Sequence, residues 1–247
     1  MNAIVEICAD SFNSALAAQK GGAARIELCD NLMLGGTTPS YGVIKRVMQC
    51  LTIKCNVLIR PRTGDFIYSD DEVNIMLDDI IMCKQLGVNG VVIGALNIDG
   101  DIDQDIITRL ITAAGDMEIT FHRAFDITRN PLLELENIKR LGIHRLLTSG
   151  QRKTAFEGKN LIRKLVANSD NVIIMPGSGN NEKNIIEIAH YTQAKEFHLS
   201  AKQLLPSTTK YFHPEVLMGD EKGISELRWD ESNVDSIKRI VDLLNLL

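Results

Sequence analysis

The sequence predicts an α/β protein that folds as a single (β/α)₈ TIM barrel, with one domain over residues 1–247. The length is usual for an eight-fold barrel, and 45% of the residues are hydrophobic, enough for one large core. Short β-rich segments alternate with longer amphipathic segments along the chain, which is typical of parallel strands joined by helices. A doubly wound open sheet is the alternative, but no strong dinucleotide-binding fingerprint supports it.

Eight segments have the composition and spacing of strands. In chain order they are Ala3–Cys8, Arg25–Cys29, Asn56–Arg60, Gly90–Gly94, Glu118–His122, His144–Thr148, Asn171–Met175 and Lys195–Ser200.

Helix ends and helix starts are visible between these segments. Glycine follows a basic residue at three predicted helix ends, where a left-handed residue and a cation near the last turn are both favoured: 19–22, 84–87 and 139–142. Residues 69–72 and 101–103 predict helix starts. The long connection 201–228 predicts an active-site loop with short helical pieces of its own.

Composition excludes several classes of function. The formal net charge is −5 and acids and bases are well mixed, so we expect no nucleic-acid partner. No segment approaches the roughly 20 apolar residues of a membrane span, and the N-terminal residues lack the features of a signal peptide. The five cysteines form no C-x-x-C pair, which argues against a disulfide framework and a zinc ribbon. We therefore expect a cytoplasmic protein with reduced thiols and no membrane partner.

Alternation along the strands predicts which side chains face the barrel axis. Aliphatic residues at alternate positions face the helices, and the inward set contains two carboxylates, two thiols, a guanidinium and two imidazoles: Glu6, Cys8, Glu27, Cys29, Leu58, Arg60, Thr120, His122, His198 and Ser200. One interpretation makes Glu6 and Glu27 members of buried ion pairs that serve only packing. The other assigns chemistry to the residues at the C-terminal strand ends, where barrel enzymes place their active sites.

The loops after the strands predict an anion site. Residues 176–181 form a glycine-rich turn before a helix, at a recurrent phosphate site of this fold, although its glycines could also serve only to turn the chain. We expect Arg60, Arg62, Arg123 and the loop 148–151 after strand six to lie at the same C-terminal end of the barrel as this turn. The predicted anion contacts are Arg62, Arg123, Ser149, Gly177, Gly179 and Ser200, with Lys202 close by.

Six separated motifs resemble the CutC copper-homeostasis family over nearly the whole chain. They are residues 7–8, 25–29, 35–40, 59–69, 120–126 and 147–151. The resemblance implies a TIM barrel, a cytoplasmic location, a role in copper tolerance or trafficking, and a homodimer. The sequence departs from the family pattern at Pro176, Ser178 and Lys202, which leaves the ligand contacts on that side open.

Three functions remain open at this point. In the first, Cys8 and Cys29 bind Cu(I) as thiolates with help from His122 or His198, because soft sulfur ligands select Cu(I). In the second, the barrel is an enzyme for a small anionic or phosphorylated metabolite, with Glu27, Arg60 and His122 as catalytic residues, and a lyase, isomerase or hydrolase would fit. In the third, the polar interior is a non-catalytic scaffold. No organic cofactor is predicted.

Overall fold

The computed structural model describes residues 3–213, 216 and 227–247 and confirms the (β/α)₈ barrel. All eight predicted strands are present, with boundaries that differ from the prediction by no more than two residues. The parallel strands are β1 Ile4–Ala9, β2 Arg25–Leu28, β3 Lys54–Leu58, β4 Gly90–Ile93, β5 Glu118–Phe121, β6 Arg145–Thr148, β7 Ile173–Pro176 and β8 Glu196–Leu199.

A helix follows each strand and covers the outside of the barrel. The helices are α1 Phe12–Lys20, α2 Tyr41–Cys50, α3 Asp70–Gln85, α4 Gln104–Ala114, α5 Pro131–Arg140, α6 Lys159–Ala167, α7 Ile185–Thr192 and α8 Val234–Asn245. The predicted glycine after α1 has a φ of +82°, which suits a residue without a side chain. Ser69 and Glu72 form a capping box at the start of α3, as the sequence predicts.

The barrel strands separate an outer apolar core, between strands and helices, from the side chains that surround the barrel axis. Ile7, Ile26 and Phe121 belong to the large apolar core between the strands and the helices. Side chains of opposite parity face the barrel axis, and four of them form a small cluster apart from that core: Cys8, Cys29, Leu58 and Val92. The alternation read from the sequence therefore predicts the inward face correctly.

Hydrogen-bonded ladders link the strands in the order β7-β6-β5-β4-β3-β2-β1-β8. The Asn180 side chain bridges the two ends of this order, because its Nδ2 donates to Pro176 O at 2.8 Å and to His198 O at 2.9 Å. A side-chain amide thus joins β7 to β8 at the C-terminal end of the barrel.

The connection after β8 differs from the prediction in its described part. Strands β9 Lys202–Pro206 and β10 Arg228–Ser232 pair antiparallel, where short helical pieces were expected. The alternation of exposed and half-buried residues along β9 suits a two-stranded ribbon better than a helix. Residues 214–215 and 217–226 of the predicted loop lie outside the described residues. Among the helices that the structure describes, none is long and apolar enough to span a bilayer.

Candidate functional site at the C-terminal end of the barrel

A cavity with both polar and apolar side chains opens at the C-terminal ends of the strands. Its volume is about 600 Å³, and residues of β1, β2, β3, β6 and β8 line it together with the loops that follow the strands. This is the end of a TIM barrel where chemistry is usually placed. The cavity brings together Cys8, Glu27, Arg60, His122 and His198.

Two thiols lie in contact at this end of the barrel. Cys8 is in β1 and Cys29 follows β2, and both side chains face inward because they have the same parity in neighbouring strands. Their Sγ atoms are 3.6 Å apart, and the Cys8 Sγ also lies 3.5 Å from Glu27 Oε1. The hydrogen bond with Cys29, burial and the charge of Glu27 raise the pKa of Cys8 well above its usual value, so this thiol keeps its proton near neutral pH.

A carboxylate and an imidazole lie next to the thiols. Ligand atoms of Cys8, Glu27 and His198 are all within 4.8 Å of one another. Burial raises the pKa of Glu27, and Glu6 adds to this effect, whereas His198 opposes it. For His198, burial lowers the pKa, but Glu27 and Glu6 outweigh burial and raise it. Of the two histidines considered as helpers of the thiols, His198 is the one in this cluster.

An ion-pair network lies deeper in the barrel, below the thiols. Arg25 pairs with both Glu6 and Glu196, and Arg145 Nε lies 2.9 Å from the same Glu196 carboxylate. Burial would raise the pKa of Glu6, but Arg25 and His198 lower it to about 2. Glu6 therefore follows the interpretation of a buried ion pair. Glu27 forms no ion pair with any arginine or lysine that the structure describes.

Arg60 is buried against backbone carbonyls. It is 5% exposed, its Nη1 donates to Gly36 O at 2.8 Å, and its Nη2 donates to Gly64 O at 2.7 Å. Its Cζ lies 4.8 Å from the centre of the Phe66 ring. The buried Nε has no hydrogen-bond partner among the described atoms.

His122 packs on the same Phe66 ring, with 4.9 Å between the ring centres. Its Nδ1 accepts a hydrogen bond from Ala124 N at 3.1 Å, so the proton of the neutral ring is on Nε2, which is buried and has no partner in the described residues. Burial and the nearby charge of Arg60 lower the pKa of His122 to about 3. A side chain at position 94 would overlap this ring, because an ideal Cβ on Gly94 would lie 2.4 Å from His122 Cε1.

The residues predicted to contact an anion fall into two groups. Arg123, Gly179 and Ser200 line the cavity, and Arg123 Nε is paired with Asp126 at 2.8 Å. The other three, Arg62, Ser149 and Gly177, do not line it.

Each residue of the second group has a local structural role. Arg62 is half-exposed and paired with Asp65 and Glu72. Ser149 is fully buried, and its backbone N–H donates to Asp126. At Gly177 an ideal Cβ would lie 2.4 Å from Leu147 Cδ1, so the absence of a side chain serves packing.

Sequence reasoning gave no role to Asp126 and placed Lys202 near the anion site without predicting its carboxylate partners. Asp126 accepts hydrogen bonds from Thr148 Oγ1 at 2.5 Å and from the Ser149 backbone, which connects the loops after β5 and β6. Lys202 lies 3.5 Å from both Asp10 and Asp230 at the cavity rim. These contacts join distant loops, and only a motif match drew attention to Asp126 in the sequence.

The chain is similar to proteins of one family. The CutC family model matches residues 3–203. A family protein CutC of Parabacteroides distasonis is 47% identical over 244 residues, which cover 98% of this chain and 100% of that protein. A copper homeostasis protein cutC homolog of Mus musculus is 42% identical over 238 residues, 96% of this chain and 88% of that protein.

Solved structures agree with this result. The CutC structure from Streptococcus agalactiae superposes with a TM-score of 0.77 at 35% identity, covering 80% of this chain and 98% of that chain. A phosphoribosylanthranilate isomerase of Pyrococcus furiosus has a TM-score of 0.60 at 11% identity, over 99% of this chain and 100% of that chain, which shows the shared barrel fold alone. From the family model and these relatives we conclude that the chain belongs to the CutC copper-homeostasis family.

Proposed function

We propose that the chain acts in copper homeostasis by binding Cu(I) between Cys8 and Cys29. The observation that carries this proposal is the 3.6 Å contact between the two Sγ atoms. Two thiols in contact can both become ligands of one ion after small side-chain movements, and soft sulfur ligands prefer Cu(I) to harder ions. Metal binding would release the thiol protons, because thiolates are the ligands.

The neighbours of the thiols support the same proposal. Glu27 and His198 supply an oxygen and a nitrogen within 4.8 Å of the Cys8 sulfur, so a third ligand is available on the cavity side. Cys55 and Cys83 are buried in the apolar core, away from this cluster, and Cys50 is exposed on α2. The proposal therefore depends on two of the five cysteines.

A competition titration tests Cu(I) binding. The reduced protein is titrated with Cu(I) against a strong chelator, beside the Cys8→Ser/Cys29→Ser variant and the single variant Cys50→Ser as control. We expect tight binding by the parent and by Cys50→Ser and its loss in the double variant. Equal affinity in all three proteins would overturn the proposal, provided that circular dichroism shows the same fold in each.

A second candidate function is catalysis on a small anionic metabolite. The specific observation in its favour is the cavity of about 600 Å³, which is far larger than a metal ion needs and falls in the range of small-molecule sites. Glu27, Arg60 and His122 line it and are the candidate catalytic residues. Turnover that is lost in Arg60→Ala and His122→Ala, with Cu(I) affinity unchanged, would identify this function. Cu(I) affinity that fell with either substitution would count against it.

We also retain three expectations in the proposal. Length and composition predict one domain over residues 1–247, composition and the family resemblance predict a cytoplasmic location, and the resemblance implies a homodimer. The five unpaired cysteines are in keeping with a reducing compartment. Sedimentation equilibrium of the purified protein tests the homodimer, and a monomer over the accessible concentration range would refute it.

A further inference from the structure

Among the described residues, every cation that lines the cavity is paired with a carboxylate except one. Arg123 is paired with Asp126, and Lys202 lies between two carboxylates. Deeper in the barrel, Arg25 and Arg145 each contact two carboxylates. Arg60 is the exception, since its polar neighbours among the described residues are backbone carbonyls and the neutral hydroxyl of Tyr68.

A buried cation without a counter-charge is unfavourable, because burial removes the water that would otherwise solvate it. Arg60 is 5% exposed and its Nε–H has no hydrogen-bond partner in the part of the chain that the structure describes, yet the side chain lines an open cavity. The carbonyls of Gly36 and Gly64 fix the guanidinium without neutralising it. The arrangement is that of a preformed binding point for one negative charge.

A second unpartnered donor lies beside it. The Nε2–H of His122 is buried and finds no acceptor among the described residues, and His122 and Arg60 both pack on Phe66. The imidazole stays neutral at physiological pH, since burial and Arg60 lower its pKa to about 3. A neutral N–H beside a cation suits an uncharged ligand oxygen next to an anionic group.

We propose that this cavity binds a small monocarboxylate with a hydroxyl or keto oxygen beside the carboxylate, the carboxylate on Arg60 and the second oxygen on the Nε2–H of His122. The inference deepens the second candidate function and rests on it. A single uncompensated guanidinium matches the one charge of a carboxylate, whereas a phosphate monoester carries between about 1.5 and 2 negative charges near neutral pH.

Calorimetric titration of the copper-free protein tests the proposal with four probes: pyruvate, lactate, inorganic phosphate and glycerol. We expect saturable binding of pyruvate and lactate, weaker binding of phosphate and none of glycerol. The variant Arg60→Met should bind both carboxylates about tenfold to hundredfold more weakly. Arg109→Gln, which removes an exposed charge on α4, should bind as the parent does.

The Arg60 side chain joins two loops, so Arg60→Met could fail to fold. A second measurement on the parent protein therefore tests the proposal without this variant. In the parent protein with ¹⁵N-labelled histidine, pyruvate should shift the Nε2 resonance of His122 and glycerol should not. Unchanged affinity in a folded Arg60→Met, tighter binding of phosphate than of both carboxylates, or an unmoved His122 resonance would overturn the inference. Cu(I) titration of the same variant separates the two proposals, because thiol-dependent copper binding should persist whether or not the carboxylates bind.

Discussion

The buried imidazole of His122 should make the stability of the barrel depend on pH in a defined direction. In the unfolded chain a histidine titrates near 6.5, whereas burial and the charge of Arg60 lower the pKa of His122 to about 3 in the folded protein. Between these two values the unfolded chain binds a proton that the folded chain does not. The contribution of His122 to the free energy of unfolding is therefore fully present well above pH 6.5 and is lost as the pH falls toward 3.

The size of the effect follows from the two pKa values. One pKa unit corresponds to about 1.4 kcal/mol, so lowering the pH from well above 6.5 to about 4.5 should remove about 2.7 kcal/mol of the free energy of unfolding. The matched variant is His122→Asn, because the asparagine oxygen can accept the Ala124 N–H as Nδ1 does. Other groups titrate in both proteins, and the difference between parent and variant isolates His122.

The assay is urea unfolding followed by far-UV circular dichroism at several pH values between about 7 and 4.5. The stability advantage of the parent over His122→Asn should shrink by about 2.7 kcal/mol across this range. A difference that does not change with pH would refute the reasoning. It would mean that His122 takes up its proton in the folded state, and the assignment of a neutral Nε2–H donor would fail with it.

Three further substitutions test the packing that supports the site. Gly94→Ala should destabilise the fold by about 1 to 3 kcal/mol, because the added Cβ would overlap the His122 ring. The control Gly42→Ala, on α2 with open space around it, should not destabilise the fold. Equal urea midpoints for the two variants would contradict the predicted overlap. Arg25→Met should lower the free energy of unfolding by about 3 to 5 kcal/mol, since it leaves two buried carboxylates without their shared cation, and a loss under 1 kcal/mol would show that the network is not stabilising. Asn180→Ala should lower the melting temperature through the loss of both hydrogen bonds between β7 and β8, about 2 to 4 kcal/mol in all, and an unchanged melting curve would show that the bridge is dispensable.

The strands and their inward faces follow from the sequence because strand geometry has a strict period of two. Cys8 and Cys29 share a parity in consecutive strands, and this alone predicts that they face the barrel axis together. The same alternation, extended back by two positions from Glu27, predicts that Arg25 also faces the barrel axis. Arg25 lies opposite Glu6 in the neighbouring strand and is its ion-pair partner. That step was within reach of the sequence and was missed.

The loops could not be predicted in the same way, because contacts between distant segments decide where their side chains point. Arg60 and Arg62 are two residues apart, yet one is fixed inside the cavity by carbonyls of two loops and the other is paired with Glu72 at the start of α3. Ser149 is likewise held by Asp126, from the loop after a different strand. No local pattern distinguishes these outcomes.

The most direct test of the proposed copper site is X-ray absorption at the copper edge of the Cu(I)-loaded protein. If Cys8 and Cys29 bind the ion, the spectrum should contain two sulfur ligands, and both should disappear in the Cys8→Ser/Cys29→Ser variant. A parent spectrum with only nitrogen or oxygen ligands, or a sulfur signal that persists in the variant, would contradict the account.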